Sequence, residues 1–204
     1  MADITAADIR KLRELTGAGM SDVKKALVDH DGDVEKAKAW LREKGKAQVA
    51  KRATRSAANG LVESYLHRTD PQLPPTLGVM VELRCETDFV AKTEDFKQLA
   101  RDLAQHIAAA DPLYVSPEQI PNEVLEAERK IYEAAAREEG KPEQAITKIV
   151  EGRVNGYVKA TVLLDQAWVK DGKITIRALL DQAAASLGEK IEVGRFARFN
   201  IRQA

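Results

Sequence analysis

The sequence predicts an α+β protein: a three-helix amino-terminal module, a basic linker helix, and a core with a small antiparallel sheet, flanking helices and a helical hairpin. Three observations carry that expectation. Residues 1–45 have only helical periodicity; residues 77–86 and 191–201 change to a period of two; and between those alternating runs the apolar spacing returns to three and four.

Segment 1–45 divides at glycine-bearing breaks, Gly17 to Gly19 and Asp31-Gly32, and is expected to close at Gly45. Ile9 and Leu12 share a face of the first helix, Met20, Val23 and Leu27 a face of the second, and Val34, Ala37 and Leu41 a face of the third, with Trp40 beside them. Thr5 with Asp8 three positions on reads as a capping box, and Asp33 reads as the cap of the third helix. So small a bundle suits docking better than a catalytic pocket. Segment 46–59 continues a basic run that holds Arg42, Lys44, Lys46, Lys51, Arg52 and Arg55, and the small residues Ser56 to Gly60 end it. That run fits either a solvated linker helix or phosphate contact.

The core is expected over 60–204. LVESYLH (61–67) pairs with the run Leu77, Val79, Val81, Leu83, Cys85 across a proline-rich turn, TDPQLPP. Ile191, Val193, Ala197, Phe199 and Ile201 supply a third alternating strand, interrupted by Arg195. Phe96, Leu99, Leu103 and Ile107 form one helical face, with His106 beside it, and Ser116-Pro117-Glu118-Gln119 marks a short helix. Leu125, Glu128, Ile131 and Ala135 lie along one helical row; after Gly140 and Pro142 a second helix follows on Ile146, Ile149, Val150, Val154 and Val158, weakened by Gly152 and Gly156. A link this short makes the two helices antiparallel neighbours. Asp171-Gly172 is expected to form a tight turn before a last helix ending at Gly188.

Composition excludes several classes. The chain has 204 residues, 44% of them hydrophobic, and its 32 basic residues balance 32 acidic ones, so no global field favours nucleic acid or an anionic membrane. Cys85 is the lone cysteine, which rules out an internal disulfide. No apolar run reaches the roughly 20 residues of a membrane span, and the amino terminus does not resemble a signal peptide; a soluble cytoplasmic protein is expected. His30, His67 and His106 lie in separate segments and are expected at the surface or its edge, with no H-x-x-x-H or C-x-x-C spacing to hold a metal. Neither phosphate-cradling glycine loop occurs, and Ser21, Ser56, Ser64, Ser116 and Ser186 lack a nucleophile motif. The expectation is a protein that is not an enzyme, needs no cofactor and binds no nucleotide directly.

What remains is CETDFVAK, residues 85–92, which sets Phe89 among polar residues where a strand yields to a helix. Thr87 or Asp88 could cap a helix that covers the ring. Alternatively Thr93-Glu94-Asp95 starts that helix, whose stripe is complete from Phe96 onward, and Phe89 is surplus to the core.

LRELTGAGMSDVKKAL (12–27) and VELRCETDFVAK (81–92) resemble the two signature stretches of the bacterial translation elongation factor Ts family. The likeness extends through HIAAADPLYVSPEQIP, GKP (140–142), EGR (151–153) and FARF, and so covers essentially the whole chain. The resemblance implies a guanine-nucleotide exchange factor for elongation factor Tu, with a module at 1–45 similar to a ubiquitin-associated domain and a core reaching both the GTPase domain and the third domain of Tu. It implies that Thr87, Asp88, Phe89 and Val90 intrude beside the magnesium site of Tu, and that Leu12, Thr16, Gly17, Ala18, Gly19 and Met20 form or flank the docking face. Arg84 departs from the family's usual asparagine. The chain resembles the short members, whose half-sized core pairs with a second copy, so a homodimer is expected. The rival readings are a peptide-binding module over the first 45 residues, or a ribosome-associated RNA binder using Lys51 and Arg52.

Overall fold

The computed structural model describes residues 4–70 and 72–201; Pro71 of the expected turn and the side chain of Lys46 in the basic run lie outside the described residues. The elements run α1 (Ala6–Thr16), α2 (Met20–Asp29), α3 (Val34–Arg52), β1 (Asn59–His67), β2 (Leu77–Cys85), α4 (Asp88–Ala91), α5 (Glu94–Ala110), α6 (Asn122–Glu138), α7 (Glu143–Thr161), β3 (Ala167–Trp168), β4 (Asp171–Thr175), α8 (Ile176–Leu187) and β5 (Glu192–Asn200). Pro117–Gln119 and Leu163–Asp165 each add a turn of 3-10 helix. The sheet has strand order β1-β2-β5, and β3 pairs antiparallel with β4. The α+β class expected from the periodicities is the one found.

Two compact units share these elements. One comprises the described residues of Met1–Val62 with Glu82–Ala100 and Ala178–Val193; the other comprises Glu63–Val81, Arg101–Arg177 and the described part of Gly194–Ala204.

In the first unit, α1, α2 and α3 close around Leu12, Val23, Ala26, Leu27, Ala37 and Leu41, with Ile4, Ile9, Ala18 and Trp40 packed against them. Each fully buried leucine or valine side chain there contributes about 1.5–3 kcal/mol. Thr5 and Asp8 form the expected capping box, and Asp33 caps α3 by accepting from the amides of Glu35 and Lys36. Met20 and Val34 are exposed instead of belonging to the stripes. Both are the first residue of their helix, and helical side chains lean toward the amino terminus, past the end of the packed face. The expected break at Gly45 is also absent: α3 runs unbroken through it. One interior glycine costs only about 1 kcal/mol, and strong helix formers flank it. A Cβ at Gly45 would lie 3.5 Å from that of Ala185, so the small residue sits against α8.

β2 alternates as expected, with Val79, Val81, Leu83 and Cys85 buried. The face read onto the last strand holds at its start and reverses from Gly194 onward. Ile191 and Val193 are buried, but beyond Gly194 the half-buried positions are 194, 196, 198 and 200, leaving Phe199 at 72% and Ile201 at 77% exposure. Apolar alternation fixes the period but not which set faces inward. Arg198 is one of the inward set; its guanidinium pairs with Asp111 at 2.9 Å and reaches the Ala108 carbonyl.

In the second unit α6 and α7 form the expected hairpin around Ala136, Ile146, Val150 and Val154, with Leu125, Tyr132 and Ile149 alongside. The buried row of α6 runs through Tyr132 and Ala136, while Ile131 is exposed. α7 is continuous through Gly152 and Gly156. The β3–β4 turn falls at Val169–Lys170, since Trp168 pairs with Asp171. Asp171 and Gly172 instead open the strand, where the Asp171 carboxylate accepts from the Lys173 amide at 3.1 Å.

His106 is buried, against the expectation of a surface position. Its Nδ1 accepts from the Val169 amide at 3.3 Å, so Nε2 carries the proton and donates to Gln166 Oε1 at 3.0 Å. Gln166 in turn donates to the carbonyls of Ala160 and Ala110. With every polar atom of the ring satisfied, burial is tolerated, and it holds the imidazole pKa below its ordinary value.

Candidate functional site

At the end of β2 two helical starts follow one another within seven residues. Thr87 is extended and caps α4, its Oγ1 accepting from the Val90 amide at 3.4 Å. Thr93 repeats the device for α5, its Oγ1 accepting from Phe96 at 3.3 Å and its hydroxyl donating to the Val90 carbonyl at 2.8 Å. Phe96 is completely buried, so α5 already has its aromatic anchor. α4 buries no residue, and Phe89 projects from it at 78% exposure. The ring therefore points outward.

Around Phe89 the residues are charged and solvated. Asp88 pairs with Lys92 one turn on at 2.5 Å, which lowers the aspartate pKa from its ordinary value, and the same ammonium lies 5.9 Å from the Phe89 ring centroid. Val90 is half-buried.

What holds this turn is a set of polar contacts at its root. The αL glycine Gly188, φ +78°, ends α8 and redirects the chain so that Glu189 meets the loop. One Glu189 oxygen accepts from the amides of Glu86 and Thr87, each at 3.0 Å, and the other accepts from the Thr87 hydroxyl at 2.6 Å. The Glu86 carboxylate returns the contact, accepting from the Lys190 amide at 2.7 Å and pairing with Arg55 at 3.4 Å. The Lys190 amide holds the Glu86 carboxyl below the usual glutamate pKa, helped by the Arg55 charge. Asn59 donates to the Glu86 carbonyl at 2.7 Å, and the Cys85 thiol to that of Thr87 at 3.1 Å.

The second predicted set is split by depth. Leu12 is buried, and the Thr16 hydroxyl donates to its carbonyl at 2.7 Å. Gly17 closes α1 by donating to the Arg13 carbonyl, and Ala18 is a partly buried contact of the helical core. Gly19 has open space where a Cβ would lie, and Met20 is exposed, as is Leu15, which the sequence reading passed over. Leu15, Thr16, Ala18 and Gly19 line one wall of a cavity of about 250 Å³ whose other wall includes Gln182 and Ser186.

Much of the basic run is engaged within the molecule. Lys44 pairs with Asp22 at 2.7 Å and lies over the Trp40 ring, Arg52 donates to the Ala184 carbonyl, and Arg55 meets Glu86. Arg84 pairs with Glu82 on the same strand. Sequence reasoning missed Glu189 and Asn59. Glu189 acts across a separation of 102 and 103 residues, and only the helix stop at Gly188 hinted at its surroundings.

The family model described as Elongation factor TS matches residues 2–203. The chain belongs to the elongation factor Ts family. It is 93% identical over 204 residues, all of both chains, to Elongation factor Ts of Frankia alni, and 91% identical over the same span to that of Frankia casuarinae. More distantly, it is 52% identical to Elongation factor Ts of Maridesulfovibrio salexigens over 201 residues, covering 98% of this chain and 95% of the relative. Membership assigns this elongation factor Ts chain to translation elongation in protein biosynthesis. Among its described residues no helix is long and apolar enough to cross a membrane.

Proposed function

We propose that this chain is a guanine-nucleotide exchange factor for elongation factor Tu, working in the cytoplasm by binding alone and without catalytic chemistry of its own. The observation that carries the reading is Phe89, 78% exposed on a turn that buries none of its own residues. An exposed phenylalanine held by polar contacts has little to gain in its own fold and much to gain in a partner's pocket, where full burial is worth about 1.5–3 kcal/mol.

Magnesium and the phosphate loop hold a nucleotide diphosphate in a GTPase. A loop of Thr87, Asp88, Phe89 and Val90 entering beside that site, with the ring wedged between helices, favours a distorted GTPase that has lost part of its hold on GDP. Asp88 competes for polar partners there once Lys92 gives it up. By linkage, GDP weakens the affinity of Tu for this factor by the same ratio that the factor weakens GDP. Residues 1–45, similar to a ubiquitin-associated domain, dock on the GTPase domain through Met20, Gly19 and their flanks, with Leu12 as the buried support. Residues 46–59 link this module to the core, 60–204, which reaches the third domain of Tu.

The core also pairs with a second copy. Leu66, Met80, Phe199 and Ile201 of one unit are all exposed apolar residues on or beside the strands of the sheet. Exposed apolar side chains on the strands of a sheet are the kind of surface a symmetric second copy can cover. Light scattering should give twice the chain mass for the parent and the single-chain mass for Phe199→Asp; a monomeric parent removes the dimer from the reading.

The decisive experiment follows release of a fluorescent GDP analogue from elongation factor Tu. The parent chain should accelerate release strongly, and Phe89→Ala should lose most of that acceleration with an unchanged circular dichroism spectrum. An unaltered rate in the variant returns Phe89 to a passive surface role.

A further inference from the structure

A four-residue helix with no fully buried side chain, only Val90 and Ala91 being half-buried, has too little packing to hold it, since isolated helices this short do not persist in water. Its geometry must come from somewhere else, and the densest set of contacts lies at Thr87. That residue's amide and hydroxyl both end on the carboxylate of Glu189, its carbonyl accepts from the Cys85 thiol, and its Oγ1 receives the Val90 amide. The carboxylate also takes the amide of Glu86. Three donors converge on one anion that follows α8, and the Glu86 carboxylate answers by taking the Lys190 amide. The exchange is reciprocal, like a capping box closed between segments about a hundred residues apart.

We propose that Glu189 is a positioning residue for nucleotide exchange: its carboxylate clamps the root of α4 and so presents Phe89 in one orientation before the partner arrives. The inference rests on the exchange reading above. A ring preorganised this way enters its pocket without first losing the freedom of a mobile loop, and the gain appears in the transition that expels nucleotide. Glu189 touches neither partner nor nucleotide in this scheme; it acts through Thr87 and Phe89.

Two measurements test it. The first needs no partner: amide hydrogen exchange in the free chain, read at Glu86 and Thr87. In Glu189→Ala these two amides should exchange ~10–100-fold faster, the range expected when charge-assisted bonds are lost, while the amides of β2 keep their protection. Glu189→Gln, which keeps the shape and loses the charge, should fall between, and it serves if the alanine variant does not fold. Unchanged protection at both amides in both variants overturns the clamp.

The second measurement is the GDP-release assay run as a double-mutant cycle over Glu189→Gln and Phe89→Ala. If Glu189 acts through the ring, its substitution lowers the acceleration by about tenfold in the parent background and has little further effect once Phe89 is alanine. Equal losses in both backgrounds overturn the positioning role and leave Glu189 a general structural residue. Should Phe89→Ala alone change nothing, the exchange reading fails while the amide data still decide the clamp.

Discussion

Phe89 and Phe96 stand seven residues apart, each in the first turn of a helix capped by a threonine and opened by acidic residues. Locally the two segments ask for the same structure, yet one ring is sealed in the core and the other projects into solvent. α5 continues for 17 residues, and its buried positions recur at Leu99, Leu103 and Ile107, so packing holds it. α4 stops after four residues and is held at its root by hydrogen bonds from the segment after α8. Caps begin a helix; what it buries decides whether it is scaffold or presentation.

Sharp contrasts follow from that difference. The largest is in stability: Phe96→Ala should cost about 3–5 kcal/mol in denaturant unfolding, as expected for emptying a packed aromatic site, whereas Phe89→Ala should stay within about 0.5 kcal/mol. Equal costs would erase the distinction between the two helices. Next comes the cap of α5: Thr93→Ala removes the acceptor for the Phe96 amide and should cost about 1 kcal/mol by the same measurement.

The smallest effect is acid sensitivity at the loop's root. The Glu86 pKa is depressed in the folded chain, so the stabilisation it provides is complete above the ordinary glutamate range and is lost as pH falls through the folded value. The Lys190 amide resonance should therefore shift over that acid range, before global unfolding, and the shift should vanish in Glu86→Gln. A Phe96 environment that titrated along with it would mean that the two segments are coupled after all.

Much of this was legible in the chain. Period-two runs located β2 and β5, β1 was read as the partner of β2, and three-and-four spacing located the long helices, because each period is that of one backbone geometry with a covered face. Phe89 could be singled out, since a complete stripe starting at Phe96 left it without a local role. Where sequence fell short, distant residues decided. His106 is buried because Gln166 and Val169 complete its hydrogen bonds from about 60 residues away. The solvent-facing side of β5 depends on what covers the sheet, which alternation alone does not encode. Glu189 looked like any charged residue after a helix stop, and only folding brings it to Thr87.

The lone thiol has a use its burial suggests. Cys85 is wholly enclosed, its sulfur tied to the Thr87 carbonyl, and burial together with the nearby Glu189 charge raises its pKa. Alkylating reagents attack the thiolate and need access, so this sulfur stays silent while the root of the loop is shut. Its labelling rate is a built-in gauge of how often that door swings open, readable on the unmodified chain by mass spectrometry.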